Sequence, residues 1–165
     1  MMTNGQFWEL VAAATNSDGD LDELPGLLRE SLVKLAAEEI VSFQDIFDEL
    51  SAKAYRRELW GAAYLLNGGC SDDGFEYFRA WLIAHGKATY EAALENPDSL
   101  AKLADPDNDD NELEDLIYVA REAYEEKTGQ ELPFRSRAAP ELTGPEWDEA
   151  DLDRLYPRIA SRLER

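Results

Sequence analysis

Residues 72–85 read DDGFEYFRAWLIAH, with Ser71 before them and Gly86 after. This stretch limits the possible folds more than any other. Ser71 or Asp72 can cap a helix there and Gly86 can stop it. On that helix Phe75, Tyr77, Phe78, Trp81, Leu82 and Ile83 cover well over half the circumference, leaving Asp73, Glu76, Ala80 and Ala84 as an outer face. A helix that is apolar nearly all round must be covered by other elements on most sides. The expected fold is therefore all-α, a compact domain of about six to eight helices with the helix at about 72–85 in its centre.

The neighbouring segments have the periodicity needed to cover it, and none shows the alternation of a strand. Thr3 or Asn4 can cap a first helix carrying Phe7, Trp8, Leu10 and Val11, which the TNSDGD stretch at 15–20 breaks. A second helix is expected from about Asp22 to Leu35, with Pro25 in its first turn and Leu24, Leu27, Leu28, Leu32 and Leu35 as its apolar stripe. Ile40, Phe43, Phe47 and Leu50 mark a third. A fourth, from about Ala54 to Leu66, carries Tyr55, Leu59, Ala62, Ala63 and Leu66 on one face and Trp60 and Tyr64 on the other. Gly61 inside it costs about 1 kcal/mol against Ala, which predicts the close approach of another backbone. Gly68 and Gly69 end it.

Beyond Gly86 the pattern predicts a short helix to about Leu94, a turn at Asn96-Pro97 and a further helical turn. The polar connector DPDNDDNELED follows, with seven acids and no base, and then a long helix from about Glu112 to Thr128. One domain over 1–165 is expected, with its core at 3–129. An irregular segment at 131–147 and a C-terminal helix or helices at 148–163, the last opened by Pro157, pack against it. A chain of this length buries roughly 68–70 % of the surface its unfolded form exposes.

Charge narrows the function classes. The chain carries 36 acids against 16 bases, a formal net charge of −20. Such a field repels nucleic-acid phosphate and anionic lipid, whose binding needs Lys and Arg, so neither nucleic acid nor membrane is expected as a partner. A basic protein partner, a small ligand and plain solubility remain. A single Cys allows no disulfide framework, no run is apolar enough to span a bilayer, and the first residues lack the pattern of a signal peptide. A cytoplasmic location is expected.

Few residues carry candidate chemistry. Arg79 lies between Phe75, Leu82 and Ile83, inside the apolar surface, where a guanidinium needs carboxylate or carbonyl partners. Either it forms a structural ion pair, with Glu76 the near candidate, or it recognises an anion in a pocket. Under the first reading, removing it strands a buried partner at a cost of about 3–5 kcal/mol. Asp72 and Asp73 at the helix N-terminus suit the helix dipole, and alone they do not make a metal site. Cys70 and His85 sit at opposite ends of the helix, about 20 Å apart by rise per residue, so they cannot form a dyad in one monomer. The DPDNDDNELEDL stretch has alternating oxygen ligands like a calcium loop, but Asp110 replaces the required Gly and Leu116 the terminal Glu. DGDLDEL at 18–24 fails likewise, and zinc, P-loop and dinucleotide motifs are absent. No cofactor or metal is expected.

Three stretches carry a resemblance: FWELVAAA, LWGAAYLLNGGCSDDGFEYFRAWLIAHGKATYEAALENPDSLA and YVAREAYEEKTG. Together they resemble a bacterial family of unknown function, over roughly Phe7 to Gly129. Its members are stand-alone proteins or lie behind WGR domains in proteins named after a molybdate metabolism regulator. The resemblance implies an all-α cytoplasmic domain and places Ser71, Asp72, Asp73, Phe75, Phe78, Arg79 and Trp81 in the family's signature. It implies no activity and no catalytic residue. Two functions follow as expectations. One is a non-enzymatic binding or interaction module, with a regulatory role hinted at by the fusion. The alternative is an enzyme or small-ligand-binding protein using Asp72, Asp73 and Arg79 in a pocket at the Gly68–Trp81 elbow, walled by Trp60, Tyr64 and Trp81.

Overall fold

Thr3 opens the first helix, α1 (Asn4–Ala14), with a reciprocal capping box: its hydroxyl accepts from the Gln6 N–H while the Gln6 side chain accepts from the Thr3 N–H. The structure, a computed structural model, describes residues 1–15, 20–133, 135 and 139–165. The expected break after α1 begins at Thr15, and 16–19 within it lie outside the described residues, as does the start of the DGDLDEL stretch. Pro25 falls in the first turn of α2 (Leu24–Val33), where its missing N–H costs nothing. Leu24, Leu28 and Leu32 of that helix are fully buried. Leu27 departs from the expected stripe and is 38 % exposed, because the contact follows the single i, i+4 row.

The next helix, α3 (Ala37–Lys53), buries Ile40, Phe43, Phe47 and Leu50 as expected. The fourth, α4 (Arg57–Leu66), starts later than the pattern predicts, since Ala54 is the C-cap of α3 and Tyr55 and Arg56 bridge the two. Gly68 and Gly69 close α4 with φ of 63° and 121°, conformations that favour glycine. Gly61 does admit a close neighbour, but a side chain: a Cβ there would lie 2.9 Å from the Tyr156 ring.

Ser71 caps α5 (Asp72–Ala84) by accepting from the Gly74 N–H, and α5 packs against α3, α4, α6 (Lys87–Glu95) and a 3-10 turn at Glu114–Tyr118. Ala80 and Ala84, expected on an outer face, are 1 % exposed. Neighbours on several sides leave α5 exposed at its N-terminal rim, Asp72, Asp73 and Glu76, with Tyr77 half-buried beside them. The expected long helix over 112–128 is also corrected. Leu113 is non-helical and donates its N–H to the Tyr77 carbonyl, so the segment coils as the 3-10 turn before α7 (Val119–Thr128) begins. The acidic connector before it is anchored by Asn111, which is 3 % exposed. Its side chain donates to Leu66 O at the end of α4 and to Asn67 Oδ1.

The C-terminal helices dock through a buried carboxylate. A 3-10 helix, Pro97–Leu103, holds Asp98 at 7 % exposure. Its oxygens accept the N–H groups of Arg158 and Ile159 at 3.1 and 2.9 Å, in the first turn of α9 (Pro157–Arg162). Asp98 therefore supplies, from 60 residues away, the cap that α9 lacks locally. Between them α8 (Leu152–Leu155) buries Leu152, and Tyr156 donates its hydroxyl to the Glu58 carbonyl. The all-α expectation holds, with nine α-helices rather than six to eight among the described residues because the C-terminal segments are so short. Buried side chains from Met2 to Ile159 form one apolar cluster. No described helix is long and apolar enough to cross a membrane.

Candidate functional site

Arg79 projects from the middle of α5 and is 7 % exposed. Its burial follows from its place in the Phe75–Leu82–Ile83 stripe, yet no carboxylate among the described residues lies within ion-pairing distance of it. Carbonyls satisfy it instead: Nε donates to Phe75 O at 3.3 Å and Nη1 to Ser51 O at 2.9 Å. Ser51 lies in the last turn of α3, where a cation also suits the helix dipole. Two aromatic rings flank the guanidinium, with its carbon 4.7 Å from the Tyr55 centroid and 4.9 Å from that of Phe75. Burial lowers the Arg79 pKa from its ordinary value, and the charges of Glu76, Tyr55 and Asp72 oppose the shift. A guanidinium stays charged through such a shift.

Nη2 has no hydrogen-bond partner among the described residues, and Arg79 borders an open cleft of about 740 Å³. Tyr55, Asp48, Glu49, Asp72, Glu76 and Arg135 line the same cleft. Asp72 Oδ1 accepts from the Tyr55 hydroxyl at 3.2 Å. Burial and this carboxylate together raise the Tyr55 pKa. The result is one buried cation under a rim of exposed carboxylates.

The other expected residues are distributed differently. Asp73 is exposed and does not line this cleft; its charge bears on Tyr77. Trp81 is 8 % exposed, stacks on Phe78 at 5.3 Å and meets His85 edge-on at 4.4 Å, away from the cleft. Trp60 and Tyr64 lie together on a second, smaller groove on the outer face of α4. Trp60 is tied to the cleft through two rings, Phe75, on which it stacks at 4.8 Å, and Tyr55, whose centroid lies 6.2 Å away. So Asp72 and Arg79 share a site, Trp60 and Tyr64 share another, and Asp73 and Trp81 belong to neither. Sequence reasoning missed Tyr55 and Ser51 as partners of Arg79. An aromatic four residues before Arg79 and a second just past α3 were the available signal, but the α4 boundary hid the second.

Covalent chemistry has little to work with here. Burial, then the charge of Glu112, push the Cys70 thiol up to about 11, so it is a poor nucleophile at neutral pH. His85 is held down to about 4 by burial and Lys102. No group of three or more His, Cys, Asp or Glu side chains among the described residues is placed to hold a metal.

A family described as a protein of unknown function (DUF4240) matches residues 2–126, which take in α1 to α6 and most of α7. No curated protein and no solved structure matches the chain.

Proposed function

We propose that this chain, which belongs to the DUF4240 family, is a non-enzymatic binding module that holds the carboxylate of a positively charged ligand over Arg79. One observation carries the reading: a guanidinium 7 % exposed, with no carboxylate partner among the described residues, borders an open cleft. Tyr55 and Phe75 fix its position, so little side-chain entropy is lost when an anion arrives. Asp72 and Glu76 on the rim and the net charge of −20 disfavour a bare polyanion. They favour a ligand whose carboxylate has a cationic group beside it, such as the C-terminus of a basic peptide.

Such a module acts by occupancy, which suits a regulatory role, and its single thiol suits the reducing cytoplasm. The enzyme reading lacks a specific support, since the cleft brings together carboxylates and two arginines, but no nucleophile–base pair among the described residues. The test compares trilysine bearing a free C-terminus with its amide by calorimetry, on the wild type and on Arg79→Lys. A carboxylate on a charged donor contributes about 1.5–3 kcal/mol, so the free acid is expected to bind the wild type at least tenfold tighter.

A further inference from the structure

The second groove, of about 360 Å³, is built by α4 on one side and by the segment 142–147 on the other. Trp60, Tyr64 and Trp147 line it, each half-buried, with Glu146 and Leu142 beside them. Both indoles are fixed by their N–H groups: Trp60 Nε1 donates to Cys70 O at 2.9 Å and Trp147 Nε1 to Arg57 O at 2.7 Å. Phe75 covers one face of Trp60. Tyr64 and Trp147 meet at 5.7 Å with their planes 61° apart, so their rings form a corner rather than a flat stack. Three aromatic rings around one small groove, two of them fixed indoles, are the arrangement that attracts a cation by its charge rather than by its hydrogen bonds.

The charges around the groove point the same way. Glu146 lines it, and Glu149 lies beside the Tyr64 hydroxyl, whose pKa it raises. Arg57 also borders the groove, but its Nη1 is turned to the Gly144 carbonyl at 2.6 Å. The family match ends at residue 126, so the second wall, with Trp147 and Glu146, lies beyond it.

We propose that the Trp60–Tyr64–Trp147 groove is an aromatic cage for a lysine side chain of a basic partner protein, methylated or not. This is independent of the Arg79 cleft, since neither Arg79 nor Asp72 lines the groove. The decisive experiment titrates the full chain with an end-blocked Gly-Lys-Gly-Lys-Gly peptide. Its trimethyl-lysine and norleucine counterparts are run beside it, and the indole N–H resonances are followed by NMR. The lysine peptide should shift the Trp60 and Trp147 signals, and trimethyl-lysine should bind at least as tightly. Norleucine should bind at least tenfold more weakly, and Trp147→Leu should lose about tenfold for the cationic peptides. Glu146→Gln, which leaves every ring in place, should lose about threefold and keeps the test open if Trp147→Leu unfolds. Equal binding of norleucine, unchanged binding by both variants, or no shift of either indole at millimolar peptide would overturn the proposal.

Discussion

Arg79 Nη1 donates to the Ser51 carbonyl at 2.9 Å and so ties the central helix to the last turn of α3. The bond has a consequence for stability that differs from the one a buried ion pair would give. Removing one partner of a buried ion pair strands a charge and costs about 3–5 kcal/mol. Arg79→Ala strands only the Ser51 carbonyl, since Phe75 O keeps its place within α5. The expected loss is about 2–3 kcal/mol, from one charged hydrogen bond and the two ring contacts. Urea unfolding measures it, and a loss above about 4 kcal/mol would mean a carboxylate partner after all.

Asp98 gives a second prediction. Asp98→Ala leaves two N–H groups of α9 without acceptors in a buried setting and should cost about 1–3 kcal/mol. Asp98→Asn keeps one acceptor and should cost less. Hydrogen exchange at Arg158 and Ile159 should rise in both variants before the rest of the chain is affected.

Gly61 and Tyr156 should be coupled. In an open helix Gly→Ala gains about 1 kcal/mol. Here the new methyl would sit 2.9 Å from a ring that is 7 % exposed and bonded to the Glu58 carbonyl, so the ring must move. Gly61→Ala is expected to cost about 1–3 kcal/mol in the wild type. In a Tyr156→Leu background it should cost nothing or stabilise, and a double-mutant cycle by thermal unfolding reads the difference.

His85 makes stability pH-dependent. Its Nε2 is buried with no hydrogen-bond partner among the described residues, and burial holds its pKa at about 4 against an ordinary 6.5. Between those values the unfolded chain binds a proton that the folded one refuses. The stabilisation from the neutral ring is therefore complete above about pH 6.5 and is lost as pH falls towards 4, by up to ~3 kcal/mol. His85→Phe keeps a ring against Trp81 and should remove that part of the acid sensitivity. Unfolding midpoints from pH 7.5 to 4.5 for both proteins provide the comparison.

The centre of this fold was legible because α5 is apolar on so many sides that no other position suits it. Caps at Thr3 and Ser71, the helix start at Pro157 and stops at Gly69 and Gly86 were legible too, since each rests on local chemistry. What sequence could not carry was tertiary. Asp98 caps a helix 60 residues away, and Leu113 leaves its helix for the Tyr77 carbonyl. The expected elbow site dissolved for the same reason. Asp72 and Asp73 are adjacent, but successive helical residues point about 100° apart, so only Asp72 reaches Arg79's cleft. Trp60 faces the other groove, although it is one stacked ring away.

A cleft at Arg79 that receives a ligand's carboxylate must tell a free acid from its amide. The most direct measurement is the affinity of trilysine with a free C-terminus against that of its amide, on the wild type and on a folded Arg79→Lys variant. At least a tenfold preference for the free acid is expected in the wild type, reduced to near unity in Arg79→Lys, whose compact ammonium cannot span the same partners. Equal affinities in the wild type, or a preference that survives Arg79→Lys, would contradict this reading of the cleft and leave Arg79 a clamp between α3 and α5.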